Sequence, residues 1–131
     1  MPSFVVKGRP KSIQSSAISR ATWKGAVAAA AVPKWPTPVD HNNLRIRITF
    51  FYKALPDFDT DNISKPICDA LIGVAYADDS QIGERTIRRK DINGSYQIKD
   101  VNSELATAIA AGDEFVFVEV EEIAAAEVNQ I

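Results

Sequence analysis

The stretch that decides the fold is residues 44–52, which read Leu-Arg-Ile-Arg-Ile-Thr-Phe-Phe-Tyr. Apolar side chains at positions 44, 46, 48, 50 and 52 alternate with Arg45, Arg47 and Thr49. An alternation with period two places the two sets of side chains on opposite faces of a pleated strand. The stretch therefore predicts a half-buried β-strand whose apolar face covers a core.

Outward from this strand, the flanking segments carry alternating strand and helix signals. Shorter apolar runs predict strands at 4–6, 85–91, 96–98 and 115–120. The last of these is apolar on both faces, which is typical of a central strand. Caps, glycines and prolines delimit helices from Ser15 or Ser16 to about 32, over 62–71 with Asp61 as its N-cap, and over 105–111. We expect an α/β domain of the α+β type over residues 1–131, with one mixed β-sheet and two or three helices.

The composition excludes several classes of protein. The chain has 131 residues with one cysteine and one histidine, so neither a disulfide framework nor a Cys/His zinc site can form. An apolar content of 46% is ordinary for a globular protein. No apolar run approaches the roughly 18 residues of a membrane span, and no signal peptide opens the chain. We expect a cytoplasmic protein with no membrane partner.

The formal net charge of −2 conceals four blocks of different charge. Residues 1–53 contain nine basic residues and one acid, a net +8, and residues 54–79 carry −5. Residues 80–100 carry +2, and residues 101–131 contain seven acids and no base. This asymmetry indicates a polyanion-facing surface beside an acidic cluster, unless folding mixes the blocks in space.

The aspartates at 57, 59 and 61 invite comparison with a calcium-binding EF-hand loop. If Asp57 is loop position one, the sixth position should be glycine but is Asn62. The twelfth position should be a bidentate glutamate but is Cys68. The EF-hand interpretation therefore fails at both defining positions.

An extended segment offers a different interpretation, because residues two apart point to the same side of such a segment. Asp57, Asp59 and Asp61 would then share one face, with Lys65 and Asp69 one and two turns along the helix that follows. We expect the second acidic pair, residues 78–79, to fold back over the same point.

Several carboxylates without histidine or cysteine suit Mg²⁺ or Mn²⁺. Such an ion activates water and neutralises phosphate charge in phosphodiester hydrolysis, and a neighbouring lysine stabilises the transition state. A solvated acidic loop or a structural cation are the alternatives that the residues leave open.

Basic residues near these carboxylates are needed if DNA is to approach them, since phosphate contacts dominate affinity for nucleic acid. The candidate DNA-binding residues are Lys7, Arg9 and Lys11 around the first turn, Arg20 and Lys24 on one helix face, and Arg88 and Lys90. In a strand, Arg89 would face away from Arg88 and Lys90.

Three motifs in this order resemble the signature of the RusA family of Holliday-junction resolvases. They are Asp59-Thr-Asp61-Asn-Ile-Ser-Lys65, Asp69-Ala-Leu and Tyr76-Ala-Asp78-Asp79-Ser-Gln81, against the family's D-x-D-N-x-x-K, D-A-L and D-D-x-Q. The opening Phe4-Val-Val-Lys-Gly-Arg-Pro10 also resembles the first strand and turn of that family. The resemblance extends over roughly residues 3–91.

The resemblance implies a RusA-like homodimer, of bacterial, prophage or phage origin, that depends on Mg²⁺, with Mn²⁺ as a possible substitute. Its substrate would be branched DNA, a four-way junction cut by paired incisions during recombination and repair. Asp59, Asp61 and Asp79 would be the catalytic metal-binding carboxylates, with Asp78 beside them as a further ligand. Lys65 would be the essential cation near the scissile phosphate.

Two alternatives to a junction resolvase stay open. The chain could be a non-catalytic DNA-binding or interaction module with a structural cation, or a nuclease for flaps or replication forks. The acidic residues of 101–131 have no role in any of these mechanisms.

Overall fold

The computed structural model describes residues 2–55, 59–94 and 102–130. Its strands and helices are β1 (Ser3–Lys7), α1 (Ala17–Ala31), β2 (Leu44–Tyr52), α2 (Asp61–Ala70), β3 (Ile82–Asp91), α3 (Ser103–Ala111) and β4 (Phe115–Glu122). Short 3₁₀ turns follow α1 at Val32–Lys34 and precede β3 at Asp79–Gln81. In these residues no helix is both long and apolar enough to cross a membrane.

The four strands form one mixed sheet in the order β1-β4-β2-β3. Strand β4 runs antiparallel to both β1 and β2, whereas β2 and β3 are parallel. A parallel pair needs a crossover connection, and α2 lies in the connection between β2 and β3. The predictions of a mixed α+β fold and of a central last strand are confirmed.

Both faces of β2 are covered at its C-terminal end, so the prediction of a half-buried strand holds for only part of its length. Leu44, Ile46 and Ile48 join the main core, which α1 and α2 cover. On the opposite face, Phe51 stacks on Phe115 with ring centroids 4.5 Å apart, beneath α3. Helix α3 thus buries one end of a face that the alternation with polar residues predicts to be exposed.

Helix α1 begins and ends where the sequence predicts. The side chain of Ser16 accepts a hydrogen bond from the backbone N–H of Ser19, and Pro33 lies in the 3₁₀ turn that follows the helix. Trp23 and Val27 point from α1 into the core, and Trp23 is only 6% exposed. The helix is therefore fixed against the sheet through one apolar face.

Helix α2 starts one residue earlier than predicted, and the prediction of Asp61 as its N-cap is wrong. Asp61 is the first helical residue, and Thr60 occupies the cap position without a side-chain hydrogen bond. The reason is that backbone bonds already close this turn, because Asn62 N–H donates to the Asp59 carbonyl and Ile63 N–H to that of Thr60.

Pro66 lies inside α2, where it cannot donate a backbone hydrogen bond to the carbonyl of Asn62. The backbone N–H of Ile13 donates to that carbonyl instead, over 3.0 Å. The loop before α1 is therefore fastened to the first turn of α2, and the proline is tolerated because its missing bond is replaced.

The remaining predicted boundaries hold within a few residues. Strand β3 begins at Ile82 rather than at 85, and α3 begins at Ser103 behind an Asn102 cap. The predicted turn at 93–94 is present, because Gly94 N–H donates to the Asp91 carbonyl. The strand predicted at 96–98 lies outside the described residues.

Candidate active site

The first acidic pair lies at the N-terminal end of α2. Asp59 precedes the helix and Asp61 opens it, and both residues are exposed. Across the described residues, neither carboxylate makes a hydrogen bond or an ion pair with another side chain. Apart from the favourable place of Asp61 at the positive end of the helix dipole, nothing in the described residues engages these charges, so both remain available to a ligand. Asp57, the other aspartate of this segment, lies outside the described residues.

The second acidic pair lies in the turn between α2 and β3. Asp78 caps the 3₁₀ turn, and its carboxylate accepts hydrogen bonds from the backbone and hydroxyl groups of Ser80. These bonds hold the pKa of Asp78 below its ordinary value, and the bond from the Ser80 hydroxyl has the largest effect. Asp79 is the first residue of the turn and is half-buried. Asp78 therefore has a structural task, whereas Asp79 is oriented by its neighbour's cap.

Gln81 fastens this turn to the rest of the molecule. Its Oε1 accepts hydrogen bonds from the backbone N–H groups of Ala77 and Asp78. Its Nε2 donates to the carbonyls of Val39 and His41, at 2.9 and 3.0 Å. The glutamine of the third motif thus acts as a brace that sets the position of the second acidic pair.

The two acidic pairs lie at opposite ends of α2, and the expectation that residues 78–79 fold back over Asp61 is not met. In a parallel crossover, the connection must run back from the end of β2 to the level of its start, where β3 begins. Helix α2 makes this return, so the segments before and after α2 are separated by the length of the helix. For ten residues this length is about 15 Å. Nowhere in the described residues do three or more metal-binding side chains form a group.

The carboxylates nonetheless fit the chemistry of a hard divalent cation. Magnesium takes oxygen ligands and is commonly held by one or two carboxylates, with waters and substrate phosphates completing its shell. Asp59 and Asp61 are two exposed carboxylates, two residues apart, without competing partners in the described part of the chain. The donor set therefore suits Mg²⁺, and the assignment of Asp59, Asp61, Asp78 and Asp79 as ligands stays a prediction.

Lys65 and Asp69 lie on one stripe of α2, as the sequence predicts. Lys65 Nζ lies 3.2 Å from Asp69 Oδ2, in an i,i+4 ion pair. The lysine side chain is 66% exposed and the aspartate side chain 26%. Exposed pairs of this kind are weak, so solvent and ligands can compete for the ammonium group.

A cleft of about 240 Å³ lies between α1 and α2. Its lining residues are Ile13, Arg20, Lys24, Lys65, Pro66 and Asp69. The fold thus brings the two cations predicted on α1 beside the lysine of the D-x-D-N-x-x-K motif. Three positive side chains and one negative side chain line this cleft, so its local charge is positive.

The guanidinium of Arg20 is held in place by the loop before α1. Its Nη1 donates to the carbonyls of Ile13 and Ser15, at 2.8 and 2.6 Å. Within the described residues its Nε and Nη2 donate to no acceptor, and the ammonium group of Lys24 has no partner either. Both side chains therefore keep donors for a ligand in the cleft.

One comparison with known proteins identifies the family. The sequence model described as endodeoxyribonuclease RusA matches residues 9–99, about two thirds of the chain. The chain belongs to the RusA endodeoxyribonuclease family. No curated protein shows a significant match to it. The RusA match contains α1, α2, both acidic pairs and β3, and family membership indicates nuclease activity of the Holliday-junction resolvase type.

Not every basic residue that we predicted to bind DNA is free to do so in this RusA-family chain. Arg9 forms a bidentate pair with Glu114, at 2.9 and 3.0 Å, and donates to the Ala54 carbonyl at 2.8 Å. Its guanidinium also lies 5.7 Å from the ring centroid of Phe50. Arg9 therefore has a structural role, whereas Lys7 and Lys11 are exposed.

The basic residues of β3 divide between the two faces of the sheet. Arg88 donates to Thr49 Oγ1, on the face opposite α2, and Lys90 shares that face by alternation. Ile87 packs against the main core. By alternation, Arg85 and Arg89 therefore lie on the face that α1 and α2 cover, and Arg89 faces away from Arg88 and Lys90 as predicted. Arg85 is absent from the predicted DNA-binding residues, although the same period-two argument could have found it.

Two buried groups at α2, the Cys68 thiol and the Tyr76 hydroxyl, have raised pKa values. Burial raises the pKa of the Cys68 thiol to about 11, so this thiol stays protonated. Tyr76 donates from its hydroxyl to the Cys68 carbonyl at 2.6 Å, and burial raises its pKa as well. The negative charges of Asp69 and Asp79 also raise the pKa of Cys68, whereas the positive charge of Arg85 lowers it.

Proposed function

We propose that this chain is a Mg²⁺-dependent endonuclease that resolves four-way DNA junctions by paired hydrolysis of phosphodiesters in recombination and repair. Membership of the RusA family supports a nuclease acting on junctions. The observation that carries the proposal is the placement of Asp59 and Asp61, exposed and without partners in the described residues, at the start of α2. The same helix presents Lys65 to a positively charged cleft.

The proposed roles follow the chemistry of each side chain. Asp59 and Asp61 would hold Mg²⁺, for which Mn²⁺ can substitute. Asp79, with Asp78 beside it, would be a further metal-binding carboxylate at the opposite end of α2, too far away to bind the same ion. The bound ion would supply an activated water and neutralise charge on the phosphate. Lys65, two thirds exposed and only weakly held by Asp69, would leave its partner and stabilise negative charge on the reacting phosphate.

The DNA contacts would come from more than one surface. Arg20 and Lys24 stand beside Lys65 and suit the strand being cut. Lys7 and Lys11 are exposed at the end of β1 and in the loop that follows. Because Arg88 and Lys90 lie on the opposite face of the sheet, they would meet a different arm of the junction. Each such contact would release counterions and make binding dependent on salt.

We further propose a homodimer in the cytoplasm, with residues 1–131 forming one RusA-like domain. A four-way junction presents two equivalent strands, and two symmetric cuts suit an enzyme with a two-fold axis. Sedimentation at micromolar concentration should return a dimer. A monomer under those conditions would contradict this part of the proposal.

A cleavage assay on synthetic DNA tests the proposal. The full chain should make symmetric nicks in a four-way junction with Mg²⁺ or Mn²⁺, and none with EDTA. Asp59→Asn should abolish cutting while binding stays equal or becomes tighter, because one repulsive charge is removed. Three-way junctions, flaps and linear duplexes serve as comparison substrates.

Each alternative gives a distinct result in that assay. Binding without cutting of any branched DNA would point to a non-catalytic module. Preferred cutting of flaps or forks would indicate a nuclease with another substrate.

A further inference from the structure

The cleft between α1 and α2 combines fixed and free cationic donors. Arg20 is oriented by two loop carbonyls through one nitrogen, which leaves its other guanidinium donors facing no acceptor in the described residues. Lys24 is half-buried four residues along the same face of α1. A guanidinium fixed in this way loses little freedom on binding an anion, and its planar fork of donors matches two oxygens of a phosphate.

The wall of the cleft is itself fixed. Pro66 lines it, and the carbonyl that this proline leaves unused accepts the N–H of Ile13 at 3.0 Å. The loop that orients Arg20 is therefore tied to the helix that carries Lys65. Hydrogen bonds to main-chain carbonyls therefore fix the position of Arg20 relative to the first turn of α2.

Asp69 occupies an unusual position for an acid. It lies in the last turn of α2, where the helix dipole favours a cation, and that turn contains no basic residue. Among the described residues, its carboxylate pairs only with Lys65, whose Nζ lies 3.2 Å from Asp69 Oδ2. In this pair the lysine precedes the acid, which is the less favourable order along a helix. The carboxylate is thus weakly held at the place where an external anion would meet the cations.

We propose that the cleft binds one phosphate of the DNA backbone, and that Asp69 takes the place of this phosphate in the free protein by holding Lys65. The inference rests on the proposed function for the identity of the phosphate as that of DNA. When DNA binds, the phosphate replaces the carboxylate as the partner of Lys65, and Arg20 and Lys24 donate to its remaining oxygens. Asp69 is a positioning residue, because it touches Lys65 and not the DNA.

Inorganic phosphate is the first probe, used with the full chain in EDTA and followed by ¹H–¹⁵N spectra. Saturating shifts should concentrate in residues 12–16, around Lys24 and in the second half of α2. Lys24→Gln should weaken phosphate binding about tenfold, the effect of losing one charged hydrogen bond. Lys34→Gln, which removes the same charge outside the cleft, should leave the affinity unchanged. Shifts that do not saturate, or equal affinity in the Lys24→Gln variant, would overturn the proposal.

Junction binding without metal is the second probe. The slope of log K against log salt should fall in magnitude by about one in Lys24→Gln and stay unchanged in Lys34→Gln. Asp69→Asn should bind phosphate and junction about twofold to tenfold more tightly, since the competing carboxylate is lost. Asp69→Glu, which restores the charge, should return to wild-type affinity. Unchanged or weaker binding in a folded Asp69→Asn protein would refute the placeholder role.

The failures of the two proposals can be told apart. If Lys24→Gln shows wild-type phosphate affinity while the wild-type chain cuts junctions, the cleft proposal fails and the nuclease stands. If phosphate saturates the cleft but no DNA is cut with Mg²⁺, the proposed nuclease function fails instead.

Discussion

The C-terminal third and the segment around α2 are both rich in acids, but the fold treats their carboxylates differently. In the C-terminal third, acids pair with bases from the first half of the chain. The pairs are Glu104 with Lys34, Glu114 with Arg9, and Glu121 and Glu127 with Arg45. Around α2, Asp59 and Asp61 make no such pairs in the described residues. The first group of charges belongs to the architecture, and the second is left for a ligand.

This difference accounts for the charge blocks along the sequence. Three of the nine bases in residues 1–53 are neutralised by the acidic C-terminal third, which was without a role in any mechanism. Arg20 and Lys24 are not among them and instead line the α1–α2 cleft. Folding therefore brings the basic block of residues 1–53 and the acidic block of residues 101–131 together, so that part of their charge cancels. It also keeps a positive surface beside α2.

The largest expected effect comes from removing an unpaired carboxylate. Asp61→Asn should lower junction cleavage by on the order of 100-fold or more, because a proposed ligand of the Mg²⁺ that neutralises the reacting phosphate is lost. The free energy of unfolding should change by at most about 0.5 kcal/mol, since only a favourable interaction with the helix dipole is removed. Cleavage rates and urea unfolding measure the two quantities. Asp113→Asn, at an exposed site in the C-terminal third, should change neither.

The reverse pattern is expected for a paired carboxylate. Glu114→Gln breaks the bidentate contact with Arg9 and weakens the acceptor for the Lys53 N–H at 2.7 Å. The free energy of unfolding should fall by about 1–2 kcal/mol, the range for partly exposed charged hydrogen bonds. Cleavage per folded molecule should persist.

Glu122→Gln is the matched control for this change, because Glu122 lies exposed at the far end of β4, the strand that Glu114 precedes. This control should unfold like wild type. A tenfold loss of cleavage in a fully folded Glu114→Gln protein would show that the C-terminal acids also serve the reaction, and would break the division between the two regions.

The strands and helices were predictable because their signals are local. Alternation along β2 and the serine cap of α1 depend on neighbours in sequence. The strand and the cap are both confirmed, although α3 buries part of the β2 face that the alternation predicts to be exposed. The cap of α2 was predicted wrongly because Asp61 has the right side chain, while the backbone of Asp59 and Thr60 already closes the turn.

The site was harder to predict because its geometry depends on contacts between distant segments. Nothing near Arg20 in the sequence indicates that it lies beside Lys65, and Arg9 gives no local sign of its bond to Glu114. The separation of the acidic pairs follows from a parallel crossover, which becomes evident only once β2 and β3 are known to be neighbours.

The pH dependence of stability offers a finer test of the same division. The pKa of Glu114 is lowered from 4.5 to about 2, and the hydrogen bond from the Arg9 side chain is the largest cause. A carboxyl whose pKa is lower in the folded state stabilises fully above its unfolded pKa and loses this effect as pH falls. The stability difference between wild type and Glu114→Gln should be constant above about pH 4.5 and vanish toward pH 2. A difference that persists at pH 2 would mean that the charge of Glu114 is not its cause.

The smallest effect is expected where a C-terminal acid is paired at the surface. Glu104 bonds to Lys34 and to the backbone N–H of Val5, both at 3.0 Å, and its side chain is 39% exposed. Glu104→Gln keeps an acceptor for the Val5 N–H and loses only the exposed ion pair, so urea unfolding should change by less than about 0.5 kcal/mol. High salt should abolish even this difference, because exposed pairs are screened. A buried charged hydrogen bond is expected to contribute above about 1.5 kcal/mol. If the free energy of unfolding falls by that much and the loss survives high salt, burial rather than charge fixes Glu104. The carboxylates of the C-terminal third would then differ from Asp59 and Asp61 in burial as well as in ion pairing.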